Sequence, residues 1–565
     1  MLETRRLILR NFKIEDAHDV YEYAKVEGIG ERAGWIHHKS IEESKQIIEK
    51  FFLKSANCFA IVDKKTNKVI GSIDLKSSFT LKQFEKEGTN FEIGYVLSKD
   101  YHGQGLMTEA CLCLIKYGFE ELKADHIFCC HSDKNLQSQR VIEKCGFVFL
   151  NKEMKQNSLF NDDRLRLGYE ITKEDYWNQQ LYKRIIERSI SESQPIIEDA
   201  VKKMFDNPEI GNQEFYAHEL LTDILKQKGF EVTSNFVLET GFKAEYRSDR
   251  KGPRIAILAE YDALPGIGHG CGHNLIAGIS LLTGIALRNI INNVGGTLLV
   301  IGTPAEENFG GKVEMVQNGV FASVDAALMI HPSSYNGIGG RTNALNPVKF
   351  EFFGKTAHGC KPYEGKSALD AAVLTYQSIN MMRQFSKPNT FIHGIIRDGG
   401  KACNIIPDYA SLEYYFRSDK MSYAQELTDK AIKACEGACL ATGTSFKHHI
   451  FECPYEDFKV NYRLANILKE KFNEIGINDV RDINERPEGS SDIGAVSYCC
   501  PALHGYIKIC NDDILAHSVE FACQTISEIG KTALKNASTA LSLVALELFT
   551  NEEELLEIKK EFNMS

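Results

Sequence analysis

Three apolar runs of strand length, RIAILA (254–259), TLLVIG (297–302) and DAALMI (325–330), are each followed closely by carboxylate, thiol or imidazole side chains. Unbroken runs of this kind predict short strands buried on both faces, as in the parallel sheets of α/β folds. Earlier in the chain, FEIGYVL predicts a strand over 91–97, a glycine turn follows, and a long helix begins at about Leu106. NLQSQRVIEKCGFVFL then predicts a short helix opened by Asn135 and Ser138, ending at Gly146 before another strand. LRLGYEI (165–171) reads as an edge strand, and the polar stretch from Glu174 to Arg188 behind it places a domain boundary near Asn178. From about Asn346 to Phe451 the pattern alternates strand, helix, strand, strand, which predicts a small α+β insertion; GSSDIGAVS (489–497) then resumes the larger fold. The expected organisation is α/β, with domains at 1–178, at 179–345 joined to 452–565, and an inserted one at 346–451.

A chain of 565 residues exceeds one ordinary core, which agrees with several domains. A hydrophobic share of 43% with 25% charged residues excludes a disordered or fibrous chain. The net charge of -11 argues against a nucleic-acid surface, which needs concentrated Lys and Arg, and leaves small molecules as the expected partners. The N-terminal MLETRRLILRNF lacks the apolar stretch of a signal peptide and no later run approaches a membrane span, so a cytoplasmic protein without membrane attachment is expected. The 16 cysteines show no framework spacing and read as reduced thiols, with Cys271 set apart by its neighbours.

Parallel strands present ligand sites at their carboxyl ends, and there the three runs deliver Asp262, Cys271 and His273, then Glu306 and Glu307, then His331. Cys271 and His273 are one residue apart and can reach one metal centre from a loop; thiolate and imidazole suit zinc and tolerate manganese, cobalt or nickel. A lone Cys or His would more simply be a core residue, and clustering is what favours the metal. Adjacent carboxylates at Glu306 and Glu307 repel unless a cation or a shared proton relieves them. One can bind a metal while the other carries a proton from the attacking water to a leaving nitrogen. In the N-terminal region, Gly103 and Gly105 let backbone N–H groups face an anion such as pyrophosphate at a helix start. Glu92, near a strand start, is a candidate general base set against the plainer reading of a solvated strand glutamate.

The glycine turn and the NLQSQRVIEKCGFVFL segment together resemble the acetyl-CoA-binding motifs of GNAT-type N-acetyltransferases. The branch most resembled is the ribosomal-protein alanine acetyltransferase-like one, whose opening is matched by Glu3 to Arg10. The resemblance covers about 1–177 and implies an α+β domain binding acetyl-CoA. In it, Leu97, His102, Gly103, Gln104, Gly105, Leu106 and Met107 would hold the pyrophosphate and pantetheine, with Asn135 and Ser138 near the thiol end. Asp100 departs from the Gln or Arg often found at the start of the turn.

GHGCGHN, TPAEE, MIHP, the insertion and HSVEFA, in that order, resemble the aminoacylase/carboxypeptidase-type di-metal amidohydrolases, in particular the aminobenzoyl-glutamate hydrolase and dipeptidase-like branch. This resemblance runs from about Leu181 to the end. It implies two divalent ions, zinc or manganese, held by Cys271, His273, Glu307, His331 and His517, with Glu306 as general base and acid and Asp262 orienting a ligand. Cys271 would stand at the bridging position, where other branches place an aspartate, as an exposed low-pKa thiolate open to oxidation. The resemblance also implies a homodimer through the inserted domain, with His358 reaching across from the partner subunit to stabilise the oxyanion. Asn404 and Arg417 would bind substrate, the arginine pairing with a carboxylate. The expected function is bifunctional: hydrolysis of the amide bond of dipeptides or N-acyl amino acids, and acetyl transfer from acetyl-CoA to an amine. The alternative is a hydrolase whose first domain is a non-catalytic acetyl-CoA sensor or docking module.

Overall fold

The computed structural model describes residues 1–157, 162–483 and 489–564. Contacts divide the chain into two units: Met1–Glu192 with Arg247–Gly252 and Ala286–Gly296, and Ser193–Tyr246 with Pro253–Ile285 and Thr297–Ser565. The long helix Gln180–Asp206 begins just past Asn178 and runs through the division at Glu192.

The first unit is built on an eight-stranded sheet in the order Leu2–Glu3, Leu7–Arg10, Cys58–Asp63, Val69–Lys76, Asn90–Leu97, His126–Ser132, Asp162–Thr172, Val148–Asn157. Asn90–Leu97 and His126–Ser132 run parallel, pair only from Asn90 to Glu92 against His126 to Phe128, and part beyond. The helix Leu106–Glu120 links them and buries Leu106, Leu114, Ile115 and Phe119. Its N-cap, Gly105, and the nearby Gly103 have φ of 75° and 76°, a region that glycine enters without a Cβ penalty. Asn135 caps the next helix, Leu136–Lys144, its side chain accepting from Ser138 N. LRLGYEI is not an edge: Val148–Asn157 folds to its outer side, so Asp162–Thr172 is paired on both flanks.

In the second unit the three apolar runs lie side by side. Arg254–Ala259 is parallel to Thr297–Gly302 on one flank and to Ala326–Ser333 on the other, and Ala502–Lys508 continues the parallel order. They form the middle of an eight-stranded sheet. Alternate residues Ala256, Leu258, Leu299, Ile301, Ala327 and Met329 pack into one core. The helix His273–Val294 is long and apolar enough to cross a membrane, contrary to the expectation that no run approaches a span. Its apolar window is 89% buried, so this is a core helix covering a sheet buried on both faces.

The insertion is a four-stranded antiparallel sheet ordered Phe391–Asp398, Tyr409–Ser418, Ala344–Phe353, Ser445–Ile450. Two helices, Ala368–Met382 and Met421–Thr442, supply Ala371, Ile379, Leu427 and Ala431 to a core with Phe350, Phe352, Leu412 and Phe416. The period-two pattern turns these strand residues to one face.

Candidate functional site

The carboxyl ends of the adjacent parallel strands bring the predicted ligands together. Asp262, 1% exposed, divides its carboxylate: Oδ1 lies 2.9 Å from His273 Nδ1 and Oδ2 accepts the backbone N–H of Glu307 at 3.0 Å. The first contact turns His273 Nε2 inward, and the second fixes the start of the Glu307 side chain. Gly272, at φ 80°, lets the loop pass so close to the neighbouring strand that a Cβ would lie 2.9 Å from Pro332. Cys271 Sγ is then 3.8 Å from His331 Nε2 and 3.5 Å from His517 Nε2. His331 engages the Pro332 carbonyl through Nδ1 at 2.6 Å, which leaves Nε2 facing the thiol. His517, at φ 63°, reaches within 3.9 Å of Glu307 Oε1.

Three overlapping sets could each hold an ion: Cys271, His273 and His331; Cys271, Glu307 and His517; His273, Glu306 and Glu307. Cys271 belongs to the first two, as a bridging position requires. His273 Nε2 and Glu307 Oε1 are buried without hydrogen-bond partners, and a divalent cation would satisfy both. Burial pushes the half-buried Cys271 thiol up to about 12 in the absence of a cation, and a bound divalent ion would favour its thiolate. Burial, then the charges of Glu260 and Asp492, also push the Glu306 carboxyl well upward.

Several buried polar residues around the centre carry no local mark in the sequence. Lys312, fully buried, contacts Glu260 Oε1 at 2.5 Å and Asp492 Oδ1 at 2.6 Å. Glu214, also fully buried, accepts Thr240 Oγ1 at 2.7 Å and Ala305 N at 2.8 Å. His504 lies edge-on to His331, its ring nitrogens without hydrogen-bond partners, and burial lowers its pKa to about 3. Asp492 lies inside GSSDIGAVS, a segment the sequence marks, but burial is what gives it a role.

In the first unit a cavity of about 1320 Å³ is lined by Leu97, His102, Gly103, Gly105, Leu106, Met107, Asn135 and Ser138, all expected at a cofactor site. Gln104 is not among its lining residues: its side chain donates to the Asp100 carbonyl at 3.2 Å. Ser138 Oγ is 2.8 Å from the Tyr95 hydroxyl. Glu92 also lines the cavity but is 2% exposed, and its oxygens accept from Thr80 N at 2.5 Å and Thr80 Oγ1 at 2.6 Å. It anchors a loop, which argues against the general-base role considered for it.

Comparison with known proteins agrees with both units. The sequence profile of the peptidase family M20/M25/M40 matches residues 256–533, and that of the acetyltransferase (GNAT) domain matches 6–148. The Xaa-Arg dipeptidase of Mus musculus is 34% identical over 399 residues, 68% of this chain and 92% of that protein. The chain belongs to the M20/M25/M40 peptidase family. It is a hydrolase of that family with a GNAT domain at its N-terminus. A p-aminobenzoyl-glutamate hydrolase chain of Escherichia coli is 32% identical over 321 residues, covering 53% of this chain and 66% of that one. The crystal structure of an aminobenzoyl-glutamate utilization protein from Klebsiella pneumoniae shares the peptidase fold, with a TM-score of 0.52 at 19% identity over 64% of this chain and 98% of that one.

Within the M20 unit, the remaining expected residues lie on the insertion. His358 bridges Ile405, and Gly359 N donates to the Asn404 carbonyl at 2.7 Å, so His358 and Asn404 share one pair of facing turns. Among the described contacts none joins His358 to Cys271, His273 or Glu307. Arg417, on Tyr409–Ser418, has Nη1 3.4 Å from Ser490 Oγ and its Nε buried without a hydrogen-bond partner.

Proposed function

We propose that the M20 unit hydrolyses the amide bond of a dipeptide or N-acyl amino acid with two divalent ions, zinc or manganese. The supporting observation is the convergence of Cys271, His273, Glu307, His331 and His517 on overlapping three-residue sets, with Asp262 orienting both His273 and Glu307. The ions, when bound, supply Lewis acidity toward the scissile carbonyl and acidify the attacking water. Glu306, beside the ligand Glu307, takes the proton from that water and returns it to the leaving nitrogen. Its raised affinity for a proton suits the second half of this task. Arg417, with a donor still unused, pairs with the substrate carboxylate, and Asn404 adds a polar contact.

His358 acts on the centre of a second copy, so the working form is a homodimer through the insertion. Exposed Phe391, Ile395 and Ile396 on its edge strand, and Met381 and Phe385 beside it, support an interface there. The GNAT unit binds acetyl-CoA in its cavity, with the left-handed Gly103 and Gly105 at the pyrophosphate and Ser138 toward the thioester, and transfers the acetyl group to an amine. Both activities are assigned to the cytoplasm.

The direct test is hydrolysis by metal-reconstituted full-length protein of dipeptides, N-acetyl amino acids and aminobenzoyl-glutamate, with and without acetyl-CoA. Release of a free amino acid that a chelator abolishes is the expected result. No hydrolysis across the panel, with both ions bound, contradicts the reading. CoA release in the presence of an amine supports acetyl transfer, whereas an altered hydrolysis rate without CoA release supports a sensor.

A further inference from the structure

We propose that Glu260 is a further ligand of the metal centre, presented to it by Lys312; this rests on reading the M20 unit as a metal-dependent hydrolase. Glu260 directly follows the strand Arg254–Ala259, is 1% exposed, and sits across His273 from Asp262. Its two oxygens face different partners. Oε1 contacts Lys312 Nζ at 2.5 Å, and Oε2 lies 3.4 Å from His273 Nε2.

His273 already engages Asp262 through Nδ1, so Nε2 is the nitrogen left for an ion, and it is buried without a hydrogen-bond partner. A carboxylate oxygen facing an imidazole nitrogen is repulsive unless a proton or a cation lies between them, and with no hydrogen bond formed at Nε2 a divalent ion suits the gap. Atoms bound to one tetrahedral ion at about 2.0–2.1 Å are separated by about 3.3–3.4 Å, so the 3.4 Å spacing fits two ligands of one ion. Glu307 Oε1, also unpartnered, lies 4.0 Å from the same nitrogen.

The surrounding charge points the same way. Glu260, Asp262, Glu306, Glu307 and Asp492 crowd this region, and among the described residues Lys312 is the one buried lysine. One ammonium cannot neutralise that many carboxylates in a low-dielectric interior, whereas divalent cations can. Lys312 is itself clamped by Asp492, which accepts both its Nζ and its backbone N–H, the latter at 2.9 Å. Asp492 therefore fixes Lys312, Lys312 fixes Oε1, and Oε2 is held toward the ion site. In this arrangement Asp492 and Lys312 are positioning residues and Glu260 is the contacting group.

Two measurements on the full chain test this. In the first, metal-stripped wild type and Glu260→Gln are titrated with Co(II), following heat and the visible absorption of the ion. Wild type should take up two equivalents, and the variant should bind one of them at least 10-fold more weakly, with changed absorption for that ion. Unchanged affinities and spectra in a folded variant overturn the proposal. The second measurement needs no variant and so survives a misfolded one: anomalous scattering from zinc-loaded wild-type crystals. An ion within bonding distance of Glu260 Oε2 is expected, and ions bound elsewhere with Glu260 remote from both overturn the inference while leaving the hydrolase intact. A wild-type chain that binds neither zinc nor cobalt would instead sink the hydrolase reading itself.

Discussion

Glu214 Oε1 accepts the backbone N–H of Ala305 at 2.8 Å, and Ala305 stands in the left-handed region at φ 61°, immediately before Glu306 and Glu307. A buried carboxylate thus holds a strained non-glycine residue at the point where the chain must turn two carboxylates into the site. Glu214→Ala leaves Ala305 N–H and Thr240 Oγ1 without their partner, a cost of about 1–3 kcal/mol, and misplaces Glu306 enough to lower kcat by roughly 100-fold. Ala305→Gly removes the Cβ penalty and should raise stability by up to about 1 kcal/mol with activity retained. Thermal unfolding and steady-state kinetics of the two variants check both; a Glu214→Ala enzyme with normal kcat would contradict the positioning role.

Asp262 is the second lever, because its two oxygens serve two candidate ligands at once. Asp262→Asn keeps the shape but supplies an amide N–H₂ in place of one acceptor, so either His273 or Glu307 loses its orientation. Metal affinity should fall by about 10–100-fold, as for other outer-sphere partners of ligating histidines. Metal titration with a competing chelator measures it, and wild-type affinity in the variant would count against the assignment.

In the GNAT unit, Gly105 isolates a backbone effect. A Cβ there meets only Arg6 Nη2 at 3.7 Å, so substitution is penalised by φ alone. Gly105→Val should cost about 1–2 kcal/mol at this position and weaken acetyl-CoA binding by about 10-fold or more. Calorimetric titration with acetyl-CoA decides it, and undiminished affinity would place the pyrophosphate elsewhere.

Glu31 gives the GNAT unit a defined acid sensitivity. It accepts the Gly28 backbone N–H at 2.6 Å and engages His37 Nδ1 at 2.8 Å. Burial opposes its charge, but these bonds outweigh burial and lower its pKa from 4.5 to about 2. A lowered folded value means stability that is present above about 4.5 and is lost as pH falls toward about 2. Glu31→Gln should therefore destabilise this unit by on the order of 1 kcal/mol near neutrality and match wild type near the acid end. Unfolding curves across that range test the sign; a constant difference at every pH would contradict it.

Much of the candidate M20 centre is legible in the sequence because its candidate ligands follow unbroken apolar runs, and a strand end fixes where the next side chains go. Cys271 and His273, the Glu306–Glu307 pair and His331 can be placed for that reason. Lys312 and Asp492 cannot, since they meet across 180 positions of sequence and nothing local marks a lysine as buried. Glu214 is hidden in the same way, by a contact 91 positions distant. LRLGYEI reads as an edge strand because nothing in its local pattern says on which flank the strand after Gly146 will pair. Glu92 reads as a candidate base because its engagement with Thr80 depends on a loop whose path only the fold defines.

Glu306 is proposed to move the proton while its neighbours hold the ions, and Glu306→Gln separates those tasks in one preparation. Turnover of the best amide substrate and bound metal per chain would be measured side by side on wild type and variant. Turnover should fall by about 100- to 10,000-fold with metal content unchanged. Near-normal turnover, or loss of metal together with activity, would contradict it.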